Sequence, residues 1–112
     1  MRSDTNQMKT SMRSDYCGTL READCGREVA VCGWVQRTRD LGQLIFIDLR
    51  DRTGIVQLAF DEKSDRAVFE TAAACRAEFV LRAAGTVRER SSKNKDIPTG
   101  DIEIEVRTLE VL

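Results

Sequence analysis

Histidine does not occur in this chain of 112 residues, which removes the commonest general base and the commonest nitrogen ligand for a metal. Four cysteines are present, but their spacing, C-x7-C-x6-C-x42-C from Cys17 through Cys25 and Cys32 to Cys75, matches no paired C-x2-C zinc pattern. Reduced, mostly buried thiols are expected, and no metal site. There is no glycine-rich phosphate loop, nucleophile motif or convergent acid–base set, so no catalytic residue is assigned. A basic excess is also missing: 18 Lys and Arg stand against 19 Asp and Glu, for a net charge of −1. Contact with nucleic acid, if there is any, must then come from local arrangement. No apolar run approaches the ~20 residues of a transmembrane helix, and residues 1–15 lack the apolar centre of a secretory signal. The expectation is a cytoplasmic chain with no membrane partner.

What remains is a mix of 41% apolar and 33% charged residues, enough for one modest core and too little for two. Met1-Arg2-Ser3-Asp4 recurs as Met12-Arg13-Ser14-Asp15, and residues 1–14 are read as a disordered extension ahead of a single domain at 15–112. Alternating β-branched stretches at 28–39, 44–50 and 55–60, joined by short turns, predict a three-stranded meander, with Gly33 marking a bulge or bend in the first strand. Ser64 is placed as the cap of a helix in which Val68, Phe69, Ala72, Ala73 and Cys75 recur at helical spacing. Two further strands, at 79–90 and 102–112, flank a polar segment at 91–100 that holds the single proline and reads as a mobile loop. Three strands, a helix and two strands predict an all-β, five-stranded Greek-key barrel of the OB type with its helix between strands three and four. An open α+β sheet is the competing architecture.

The side-chain period of two assigns Ile45, Ile47 and Leu49 to the core and leaves Leu44, Phe46, Asp48 and Arg50 outside. Phe46 therefore stands among polar residues, where it could stack on an unpaired base or pack under a loop or a neighbouring domain. In the third strand Val56, Leu58 and Phe60 face inward and Gln57 outward, its amide able to meet a base edge. Arg37 and Arg39, and likewise Arg88 and Arg90, put guanidinium forks near the same rim. Glu103 faces out from the fifth strand with Glu105 and Arg107. Unfavourable beside phosphate, it is either uninvolved or an acceptor for guanine N–H groups.

The string Cys32-Gly33-Trp34-Val35-Gln36-Arg37-Thr38-Arg39-Asp40, followed by Leu44-Ile45-Phe46-Ile47-Asp48-Leu49-Arg50-Asp51-Arg52 and Gly54-Ile55-Val56-Gln57, resembles the N-terminal anticodon-binding domain of bacterial aspartyl-tRNA synthetases. The resemblance implies that the domain binds the GUC anticodon loop of aspartate tRNA. By that resemblance Phe46 stacks on the middle uracil, Gln57 bonds the same base, and Arg37 and Arg39 meet the anticodon strand. Glu103 reads the first guanine with Arg90 beside it, and Asn94 lies near the third base. The chain departs from the family at Thr38, where a third arginine is common, and in a shorter segment at 91–99. Leu41, where the type that also charges asparagine tRNA often has histidine, leans toward the aspartate-only type.

The parent enzyme would be a homodimeric class II aspartate–tRNA ligase using ATP and Mg in a separate C-terminal catalytic domain. A chain ending at the close of its fifth strand is what an excised domain would give, with no cofactor of its own. A sequence-neutral single-strand binder and a purely structural module are the alternatives.

Overall fold

The computed structural model describes residues 13–112. Two short 3-10 turns, Cys17–Thr19 and Glu22–Asp24, precede β1 (Glu28–Asp40), β2 (Ile45–Asp51), β3 (Gly54–Phe60), α1 (Arg66–Ala74), β4 (Val80–Glu89) and β5 (Ile102–Val111). The strands close into a barrel in the order β1-β2-β3-β5-β4. β3 and β5 run parallel, the other neighbours antiparallel. This is the expected five-stranded OB barrel with one helix, not an open sheet.

Alternation fills the interior. Ile45, Ile47 and Leu49 from β2, Val56, Leu58 and Phe60 from β3, and Ile102, Ile104 and Val106 from β5 are all buried. α1 covers one barrel mouth with Ala72 and, just past its end, Cys75, with Val68 and Phe69 partly buried against the same core. Ala73 turns to solvent instead. Ser64 does not cap the helix. Asp65 holds the N-cap position without a side-chain bond, while the Ser64 hydroxyl accepts the Asp61 N–H at 3.0 Å and closes the preceding turn.

The bulge in β1 falls at Gln36, between Val35 and Arg37, rather than at Gly33. Gly33 answers a different need: a Cβ there would lie 2.3 Å from the Arg50 carbonyl oxygen, so the glycine lets β1 cross close to β2. The bulge matters more for the outer face. Strict alternation from buried Val31 and Val35 would send residues 37 and 39 inward, and one extra residue reverses that parity. Arg37 and Arg39 consequently pair with the outward residues Asp48 and Phe46.

The segment read as a mobile loop is cross-braced. Asn94 N–H donates to Gly100 O at 2.9 Å and Gly100 N–H to Ile97 O at 3.0 Å, and the buried Thr99 hydroxyl donates to Ile55 O at 2.6 Å. At the other end of the chain, Ser14 N–H donates to Ala30 O at 2.8 Å and Ala30 N–H returns a bond to Ser14 Oγ at 2.9 Å. The last residue of the expected extension thus lies on β1, while residues 1–12 fall outside the described part. No disulfide joins the four cysteines; Cys17 and Cys75 are buried, Cys32 is half-buried and Cys25 exposed. Among the described residues no helix is long and apolar enough to cross a membrane, and no three His, Cys, Asp or Glu side chains are brought together as a metal cluster.

Candidate nucleic-acid interface

The register of the five strands sets one row of residues across the outside of the barrel. Arg37 on β1 lies opposite Asp48 on β2, Asp48 opposite Gln57 on β3, Gln57 beside Glu103 on β5, and Glu103 opposite Arg88 on β4. A second row runs Arg39, Phe46, Ala59 and Glu105. Side chains in such rows meet directly or on the diagonal.

The contacts follow. Gln57 Nε2 donates to Glu103 Oε1 at 2.7 Å, and Arg88 Nε donates to Glu103 Oε2 at 2.8 Å. Arg39 Nη2 reaches Gln57 Oε1 at 3.4 Å while its guanidinium carbon stands 5.0 Å from the centroid of the Phe46 ring. Gln57 and Glu103 are only 4% and 6% exposed, although both point away from the core. A carboxylate so deeply covered needs its partners: leaving it unpaired would cost several kcal/mol.

A groove of about 600 Å³ opens over this row, walled on the far side by residues 90–95 and Ile97. All seven side chains singled out from sequence line it: Arg37, Arg39, Phe46, Gln57, Arg90, Asn94 and Glu103. Phe46 is half-buried and its ring faces the groove. Arg90 carries a buried Nε with no acceptor among the described residues, a donor available to a ligand. Asn94 is partly engaged already, its Oδ1 accepting the Asp96 N–H at 2.9 Å.

The two lysines of the lining were not anticipated. Lys95 stands in the far wall with Lys93, whose ammonium is held at 2.6 Å from Glu89. That bond raises the Lys93 pKa and lowers the Glu89 pKa. Arg88, read as a companion of Arg90, takes another role. It reaches Glu103, Glu105 at 3.2 Å and Asp61 at 3.8 Å, and of these four only Glu103 lines the groove. A hint existed in the alternation of Glu103 and Glu105 on β5, which requires a cation from a neighbouring strand.

Acceptors and donors remain open toward the groove. Each Glu103 oxygen takes one of these bonds and has a further lone pair, and Gln57 keeps a second N–H and a second lone pair. An aromatic face, an amide, a fixed carboxylate and three arginines on a concave surface suit unpaired bases, which present both ring faces and edges.

The sequence comparison agrees with this geometry, since residues 29–112 match the family model described as the tRNA anti-codon OB-fold nucleic acid binding domain. The chain belongs to that family. Anticodon-type OB domains of aspartate–tRNA ligases are its similar relatives, as the string at 33–57 led one to expect. It is 54% identical over 100 residues to the aspartate–tRNA ligase of Parabacteroides distasonis and 52% identical over 100 to that of Limosilactobacillus fermentum. In each case 89% of this chain is covered but only 17% of the relative. Among solved structures, the asparaginyl-tRNA synthetase from Pyrococcus horikoshii superposes with a TM-score of 0.74 at 30% identity, over 88% of this chain and 22% of that one. The aspartyl tRNA synthetase from Entamoeba histolytica gives 0.79 at 20% identity, over 94% and 22%, a likeness of fold.

Proposed function

We propose that the groove binds the anticodon loop of aspartate tRNA and that the chain is the recognition part of an aspartate–tRNA ligase. The observation that carries this reading is the Gln57–Glu103 pair, buried on the outer face of a barrel and open only toward a groove floored by Phe46. The middle base of the GUC triplet stacks on Phe46, and Gln57 meets its edge. Glu103, fixed from behind by Arg88, accepts the ring N–H and amino group of the first guanine, with Arg90 donating beside it. Arg37 lines the groove beside Arg39, which now covers Phe46 and gives up that place when the base arrives. Its long bond to Gln57 is easily exchanged. Asn94 approaches the third base through its amide nitrogen.

The chemistry of charging tRNA belongs to a C-terminal class II domain with ATP and Mg, in a cytoplasmic homodimer. This chain contributes affinity and choice of tRNA. The test is binding of the chain to an anticodon stem-loop and to versions with the middle uracil or the first guanine replaced. Each replacement is expected to weaken binding by at least tenfold, and equal affinity for all three would contradict the proposal.

A further inference from the structure

The described arginines differ in what holds them. Arg27, Arg66, Arg82, Arg88 and Arg107 each form an ion pair with a carboxylate. The other eight described arginines form none with a described carboxylate: Arg21 is bonded to the Gly18 and Leu20 carbonyls, Arg76 follows α1, Arg90 lines the groove, and Arg13, Arg37, Arg39, Arg50 and Arg52 are brought into succession by the outer face of β1 and β2 and by the Tyr16 ring. Arg37 and Arg39 belong to the groove. Arg50 continues the outer face of β2 beyond Phe46 and Asp48, its Nε donating to Gln36 Oε1 on β1. Arg52 and Arg13 then flank Tyr16, with guanidinium carbons 5.0 and 4.2 Å from the ring centroid and Nη2 atoms donating to the phenol oxygen at 3.0 and 3.2 Å.

The carboxylate nearest this end in sequence is turned away. Asp51 lies between Arg50 and Arg52 in sequence, yet its oxygens accept the Cys17 N–H at 2.7 Å, the Thr53 N–H at 2.8 Å and the Thr53 hydroxyl at 2.6 Å. Asp48, opposite Arg37, is the carboxylate left on the outer face of β2. At the rise of an extended strand, Arg52 lies roughly 20 Å along the barrel from Phe46, a span of several consecutive phosphates. Stacking on Tyr16 holds two flexible guanidiniums in place, so less freedom is lost when they meet an anion.

We propose that Arg50, Arg52 and Arg13 form a phosphate track that continues the groove and takes the ribose-phosphate backbone of the strand leaving it, whatever its bases. This rests on the groove being the RNA site, and the two fail separately. The experiment is binding of anticodon stem-loops by the chain, by R50Q/R52Q, by R66Q as a control on α1, and by F46A, across a range of salt. R50Q/R52Q is expected to weaken binding of GUC and base-replaced loops alike, by about tenfold, and to flatten the slope of log affinity against log salt by about one to two. R66Q should change neither. R52K, which keeps the charge, should restore most of the slope.

Neutral methylphosphonate linkages placed one at a time in the RNA give a reading that needs no variant: those on the track should weaken binding to the unaltered chain and have no further effect on R50Q/R52Q. The track is overturned if no neutral linkage outside the three anticodon positions matters, or if R50Q/R52Q folds and keeps the full salt slope. Should F46A bind as well as the unaltered chain while R50Q/R52Q loses its slope, the track stands and the groove reading falls.

Discussion

Glu103 lines the groove, and Arg88, outside the lining, holds it in place. The carboxylate is nearly out of water and receives Gln57 on one oxygen and Arg88 on the other. Removing the arginine would leave a covered charge with one neutral donor, so Arg88→Ala is expected to lower stability by about 1–3 kcal/mol, read as a lower urea midpoint at unchanged slope. Arg88→Ala combined with Glu103→Leu should recover much of that loss, because no buried charge remains. Phe46 behaves differently. On the proposed reading its ring supports a base rather than the core, so Phe46→Ala should cost about 1–3 kcal/mol of RNA affinity, measured by titration, and little thermal stability. Phe46, Gln57 and Glu103 were legible in the sequence because each breaks the polarity expected of its face or is carried by the 33–57 string. The bonds among them were not, since the parallel β3–β5 register that joins Gln57 to Glu103 spans 46 residues of chain and depends on barrel closure.

Two devices at the level of elements decide what the outer face presents. The bulge at Gln36 turns Arg37 and Arg39 outward, and Gly33 lets β1 pass over the Arg50 carbonyl. Sequence patterning located the strands and marked Gly33 as a bulge or bend without locating the bulge at Gln36, because a mid-strand glycine signals either a bulge or a close approach and alternation alone does not separate them. Gly33→Ala would force its methyl against backbone and is expected to destabilise by about 1–3 kcal/mol, visible as a lowered Tm. The turn after β2 depends on Asp51. Burial would raise its carboxyl, but hydrogen bonds from the Thr53 hydroxyl and from the Cys17 and Thr53 N–H groups outweigh that and hold its pKa below the usual value. The same burial, with Asp51 nearby, pushes the Cys17 thiol far up. A carboxyl depressed in the folded state binds fewer protons there than in the unfolded chain, so stability rises with pH through this window. The Asp51 contribution is complete above the ordinary Asp range, near pH 4, and is lost as pH falls through the folded value. Denaturation curves from pH 7 to pH 3 should show that fall, and Asp51→Asn should flatten it.

For the whole molecule, a net charge of −1 conceals segregation. Carboxylates neutralise Arg66 of α1, Arg82 and Arg88 of β4, Arg107 of β5 and Arg27 just ahead of β1, while Arg37 and Arg39 of β1, Arg50 and Arg52 at the end of β2, and Arg13 form no ion pair with a described carboxylate. Binding should therefore weaken steeply with salt despite the acidic total. The central claim is that the outer row reads bases, and it is tested most directly by a double-mutant cycle between Glu103→Gln and replacement of the first anticodon guanine by inosine, which removes the amino group alone. The unaltered chain should lose about tenfold in affinity for the inosine loop while Glu103→Gln binds both loops alike, a coupling of about 1.4 kcal/mol. Equal losses in both chains, with no coupling, would contradict the account.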